Sequence, residues 1–158
     1  MRHKSRIRRD ETGFTMVEVM VVIGIIAIAA GVAIPSISSF IPNYRVKSAA
    51  QDLYSNMQLA KMEAVKTNSS RTVTFNANGY VKADSTIISF ADYGNVEYGR
   101  PDAGSNITYT GGAVTFQPRG LAQAGEVYIS NDSGTSYYVG TFASGVVILR
   151  KWNGTSWQ

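Results

Sequence analysis

The sequence predicts an α+β protein: a long N-terminal transmembrane and amphipathic helix packed on a C-terminal antiparallel β-domain. Three observations carry this. An apolar run of membrane length follows a basic leader. Apolar residues then recur at three- and four-residue spacings between Tyr44 and Lys66. Beyond residue 67 the helical pattern disappears, and short β-branched and aromatic runs alternate with turn formers. A chain of 158 residues suits one modest domain with an appendage.

The leader occupies residues 1–13. It ends Arg8-Arg9-Asp10-Glu11-Thr12-Gly13 and holds five of the 15 basic and two of the 11 acidic residues. Of the formal charge of +4, little more than about +1 stays with the rest of the chain, so the overall charge is no argument for a polyanion partner. There is no cysteine, which excludes disulfides, thiolate metal sites and a cysteine nucleophile. The only histidine, His3, lies in the leader, so a histidine base or ligand in the domain is excluded as well. No calcium-loop or phosphate-loop spacing occurs. The expectation is a protein that is not an enzyme and takes no cofactor or metal.

In the run Phe14–Ile34 only Thr15 and Glu18 are clearly polar. Roughly 20 apolar residues cross a bilayer as a helix, and basic residues ahead of the run place the N-terminus on the cytoplasmic side. Glu18 is costly in such a segment and calls for a reason. A plain anchor explains the hydrophobicity but neither Gly13-Phe14 nor Glu18. A secretory signal with Ala27-Ile28-Ala29 as its cleavage site would carry Glu18 in its apolar core, and the apolar character continues past the cut.

The stretch Gly13-Phe14-Thr15-Met16-Val17-Glu18-Val19-Met20-Val21-Val22-Ile23 closely resembles the processing motif of type IV prepilins and type II secretion pseudopilins. The resemblance implies cleavage after Gly13 by a prepilin peptidase, methylation of the new N-terminal Phe14, and an assembly role for Glu18. It also implies a single-pass inner-membrane protein with a periplasmic β-domain, whose partners are other pilin or pseudopilin subunits. A glycine at the cut lets a protease approach the backbone closely. Glu18 lies about 6 Å along the helix from Phe14. Its natural counter-ion in a staggered bundle is the N-terminal amine of a neighbouring subunit, so wrong registers leave the carboxylate unpaired.

Pro35 and Pro42, with Ser36, Ser38, Ser39 and Asn43 around them, predict a break over residues 35–43 between the transmembrane helix 14–34 and an amphipathic helix 44–66. On that second helix Val46, Ala49, Ala50, Leu53, Met57, Ala60 and Ala64 form one apolar stripe, expected to complete the core of the β-rich domain 67–158. Strands are expected at Arg71–Phe75, Tyr80–Ala83, Thr86–Phe90, Asn106–Thr110, Ala113–Phe116, Glu126–Ser130, Ser136–Gly140 and Val146–Trp152. Asn78-Gly79, Gly111-Gly112 and Asn153-Gly154 are among the turn signals. Arg100-Pro101-Asp102 falls in a Gly-rich stretch, 94–104, read as an exposed loop.

Leu59-Ala60-Lys61-Met62-Glu63-Ala64, and later Val114-Thr115-Phe116-Gln117-Pro118-Arg119-Gly120, resemble the GspH/FimT group of minor pilins, with Lys61 in place of the usual arginine. The resemblance implies a minor pseudopilin of a type II secretion pseudopilus, or alternatively a FimT-like minor pilin of a type IV pilus with an adhesion or DNA-uptake role. For the second role the candidates are Arg150, Lys151, Trp152 and Trp157. A two-residue Asn153-Gly154 turn would set Trp152 opposite Thr155 and Arg150 opposite Trp157, a cation beside an indole. Single-stranded nucleic acid binders combine such groups, but two basic residues give little counter-ion release, and the arginine-rich tail of DNA-binding relatives is not matched. A hairpin closing the sheet accounts for the same residues.

Overall fold

The computed structural model describes residues 13–158; within its first helix the side chains of residues 32–39 are not described. The leader up to Thr12 and the side chain of Pro35 therefore lie outside the described residues. The chain divides into two units between Ile37 and Ser38.

The α+β expectation holds. A helix, α1 (Met16–Thr67), is followed by eight strands: β1 (Arg71–Asn76), β2 (Gly79–Val81), β3 (Ile87–Ser89), β4 (Val96–Tyr98), β5 (Ala113–Phe116), β6 (Gly125–Asn131), β7 (Ser136–Thr141) and β8 (Val147–Lys151). They form two antiparallel four-stranded sheets, ordered β3-β2-β1-β5 and β4-β6-β7-β8.

No interruption of α1 separates residues 35–43 from the turns on either side, contrary to the sequence expectation. Proline's fixed φ is compatible with a helix, and Pro42 removes one backbone donor without forcing an end. The turn that follows is held by tertiary bonds: Asn43 Oδ1 accepts from Asn131 Nδ2 (3.1 Å) and from Thr135 Oγ1 (2.7 Å). Asn131 is itself buried, and its Oδ1 accepts from the backbone N–H groups of Ser133 and Thr135, which shapes the β6–β7 turn.

The stripe expected on the amphipathic part of α1 is the helix's contribution to the core. Val46, Ala49, Ala50, Leu53, Met57, Ala60 and Ala64 are all buried. They join Val73, Phe75, Tyr80, Val114 and Phe116 of one sheet and Val127, Ile129, Val139 and Val147 of the other in a single cluster. A side chain such as Leu53 contributes about 1.5–3 kcal/mol by that burial. The alanines leave no bulk between helix and strands. In β1, Val73 and Phe75 face inward while Thr72 and Thr74 are exposed, the alternation of a sheet covered on one side. β7 is buried along its whole length, because Trp157 packs edge-on against Tyr138 on the outer face (5.0 Å between centroids).

Three strand expectations are corrected. β4 was hidden in the Gly-rich stretch, whose short apolar content, Val96 and Tyr98, gives no periodicity to read. Asn106–Thr110 is not a strand; Ile107 forms an isolated bridge to Val127, flanked by bonds from Tyr128 N–H to Asn106 O and from Thr108 N–H to Glu126 O, and the ladder stops where the Glu126 N–H donates to the Thr108 hydroxyl instead of a carbonyl. The C-terminal hairpin has a different register: Trp152 lies opposite Trp157, and Lys151 exchanges backbone bonds with Gln158. Asn153 Oδ1 accepts from the N–H groups of both Thr155 and Ser156, and this widens the connection from two residues to four.

Candidate functional site

The chemistry of this chain is concentrated where α1 begins. Gly13 precedes the helix, and a Cβ added there would meet nothing within 4 Å. Packing among the described residues therefore does not require glycine at this position. Phe14 is 84% exposed. Thr15 is the N-cap: its Oγ1 accepts from the Glu18 N–H (3.2 Å), while Glu18 Oε2 accepts from the Thr15 N–H (3.4 Å). This reciprocal pair is a capping box, and it satisfies two of the donors that every helix start leaves open. Sequence reasoning treated Glu18 as an isolated carboxylate and missed Thr15. The signal was present as Thr15-x-x-Glu18 ahead of an apolar run.

The box turns the Glu18 carboxylate towards the N-terminal end of the helix, the end with the positive dipole. One long bond leaves most of its acceptor capacity free. Behind it, every described side chain from Phe14 to Ile28 is exposed, among them Met16, Val17, Met20, Val22, Ile25 and Ile28. An apolar helix surface this extensive is stable only when lipid or protein covers it. Among the described residues no helix is long and apolar enough to cross a membrane; the run Phe14–Ile34 passes at residue 32 into side chains outside the description.

Of the C-terminal candidates, Arg150, Trp152 and Trp157 share the face of the sheet that carries Tyr138, and Lys151 lies on the other. Arg150 pairs with Tyr138 across β7–β8, and its neighbour Lys151 pairs with Tyr137, so the two cations alternate across the strand. Trp157 is half-buried against Tyr128, Tyr138 and Trp152, at centroid distances of 5.3, 5.0 and 5.1 Å. Arg150 reaches the Trp157 carbonyl (Nη1 to O, 3.4 Å). Among the described residues the cation placed over a ring is Arg100, whose guanidinium carbon stands 4.2 Å from the Tyr128 centroid. Arg100 also forms a forked pair with Asp102, 2.7 and 2.8 Å, which holds the Asp102 carboxyl below the usual carboxylate range. The Tyr128 hydroxyl donates to Glu126, and burial with that carboxylate pushes the phenol up. These contacts tie the 99–106 loop to the outer face of the sheet and supply no reacting group. Among the described residues, no cluster of histidine, cysteine or carboxylate side chains could hold a metal ion.

Two family models match this chain. One, described as type II transport protein GspH, matches residues 49–145 and so covers more than half of the sequence. The chain belongs to the GspH family. The second, the prokaryotic N-terminal methylation motif, matches residues 8–34 and spans the Gly13-Phe14 junction, the capping box and the exposed apolar helix. No curated protein and no solved structure matches the GspH-family chain. The two matches meet the two parts of the geometry: a methylation motif on the apolar helix start, and a GspH region from Ala49 of the amphipathic helix through β7.

Proposed function

We propose that this GspH-family protein is a minor pseudopilin of a type II secretion pseudopilus. In this reading a prepilin peptidase cuts after Gly13, Phe14 becomes the methylated N-terminus, and the helix anchors the subunit in the inner membrane until it enters the filament. The N-terminus is cytoplasmic and the β-domain periplasmic. The supporting observation is the capped apolar start of the helix, exposed from Phe14 to Ile28, with one carboxylate in its first turn. A helix of that kind is covered by lipid before assembly and by sibling helices after it. Glu18 supplies register: its carboxylate faces the helix start, where a neighbour's Phe14 amine can meet it, and a slipped neighbour leaves it unpaired in an apolar bundle. The protein performs no chemistry of its own.

Intact mass of the membrane-extracted protein tests the processing step. The expected species begins at methylated Phe14. A species beginning at Met1 or at Ala30 refutes the reading. Assignment to a secretion pseudopilus rather than a type IV pilus is tested by deletion. Loss of exported enzymes from the medium with twitching and DNA uptake intact is the expected result, and the converse phenotype assigns the chain to a pilus.

A further inference from the structure

The unit that begins at Ser38 opens with a side of α1 that its own core does not use. Phe40 and Tyr44 are 68% and 61% exposed, and their rings stack at 6.4 Å with 18° between the planes. Ile41, between them in sequence, is 45% exposed. Exposed Lys47 continues the side that carries Phe40 and Tyr44, because positions four and seven residues on return to one side of a helix. The buried residues Val46, Ala49 and Ala50 lie on another. Arg45 is not part of this surface. A Cβ on Gly94 would stand 2.6 Å from its Nη1, so its guanidinium lies against the turn before β4. Lys47 belongs to none of the three ion pairs found among the described residues.

Three large apolar side chains gathered in water call for a cover. Their place in the chain says which one. Glu18 is costly inside a bilayer, so before assembly it stays at the cytoplasmic boundary. A span counted from Val19 needs roughly 20 residues to cross the hydrocarbon core and then ends at Ser38. Phe40, Ile41 and Tyr44 fall in the next two turns of α1, and Lys47 follows one turn later. Their polarity changes in the order in which a leaflet does, from apolar ring to phenol to ammonium. Amphipathic rings collect at membrane–water boundaries, and a lysine at that depth has the lipid phosphates as its anion.

We propose that Phe40, Tyr44 and Lys47 form an interfacial anchor that lies in the headgroup layer of the periplasmic leaflet, against anionic phospholipid. The proposal rests on the reading that the apolar start of α1 spans the inner membrane. It adds where that span ends. The anchor sets the depth at which α1 leaves lipid, and so holds Glu18 at the opposite boundary until a neighbouring subunit pairs with it.

The test uses the full-length chain reconstituted without sibling subunits in vesicles of phosphatidylethanolamine and phosphatidylglycerol. Washing with alkaline carbonate examines the span first: a chain released by it overturns the membrane reading and the anchor together. With the span intact, F40W and Y44W report depth through lipids brominated near the headgroup end or near the tail end of their acyl chains. The emission of Trp152 and Trp157 in the unaltered chain is the baseline. The added tryptophan of F40W should be quenched more by bromine near the headgroups than by bromine near the tails, and that of Y44W less than that of F40W by either. Adding K47E to Y44W should move the signal towards water by about fivefold, and K47R should leave it in place. Should a tryptophan variant lose its near-ultraviolet circular dichroism, the depth is read from a nitroxide on K47C, in a chain with no cysteine of its own. Three results overturn the anchor while leaving the span standing. Iodide in the buffer quenches F40W as freely as an exposed tryptophan, which places it in water. Neither iodide nor bromine reaches it, which places it under a second copy. Bromine near the tails quenches it most, which places it in the hydrocarbon core.

Discussion

Replacement of Glu18 separates two roles that the structure superimposes on one carboxylate. In the capping box its Oε2 accepts from the Thr15 N–H at 3.4 Å, a contact of the kind that contributes about 1 kcal/mol to a helix start. In the proposed assembly it also meets a neighbour's amine, and a charge-assisted hydrogen bond contributes about 1.5–3 kcal/mol. E18V removes both, E18Q keeps an acceptor for the cap but removes the charge, and T15A removes the hydroxyl half of the cap and leaves the charge. Each 1.4 kcal/mol is about tenfold in population. E18Q should therefore lower the filament-incorporated fraction by about ten- to a hundredfold, E18V by about fivefold more than that, and T15A by about fivefold at most. Processing at Gly13 should continue in all three, so intact mass and incorporation are read from the same extract, the second by crosslinking and immunoblot. Wild-type incorporation of E18Q would refute the charge-pairing argument. Equal defects in T15A and E18Q would show that the cap, not the charge, sets assembly.

Other expectations follow from the β-domain. N43A removes the acceptor shared by Asn131 and Thr135 and leaves a buried Asn131 amide without that partner. Urea unfolding of the detergent-solubilised chain should show a loss of about 1–3 kcal/mol, and N43A/N131A should be less than additive. Burial pushes the Tyr80 and Tyr109 phenols up to about 12. Because both are raised above the ordinary value of 10.0, their contribution is complete below that pH and is lost as pH rises from there towards 12. Tyrosinate absorbance should rise together with loss of near-ultraviolet circular dichroism, and independent titration of a still-folded chain would contradict this. Opening the Arg100–Asp102 fork with D102N should free the 99–106 loop, measured as faster amide exchange there with the core strands unchanged.

The sequence by itself determined whatever depends on local pattern. The apolar stripe from Val46 to Ala64 was legible because a helix repeats every 3.6 residues and its buried face must keep that period. Seven of the eight strands were legible from β-branched and aromatic runs between turn formers, and the methylation motif was legible as a contiguous stretch inside the matched residues 8–34. What the tertiary structure decided depends on partners far along the chain. Whether Pro42 ends the helix is settled by Asn43, anchored to a turn 88 residues away. β4 exists because β6 offers it an edge. The C-terminal hairpin follows the Asn153 side chain and the packing of Trp157 on Tyr128 and Tyr138 rather than the dipeptide Asn-Gly. Local periodicity records which side chains leave water; it does not record which distant backbone and side-chain groups complete one another's hydrogen bonds, and those completions chose the hairpin register and the strand β4.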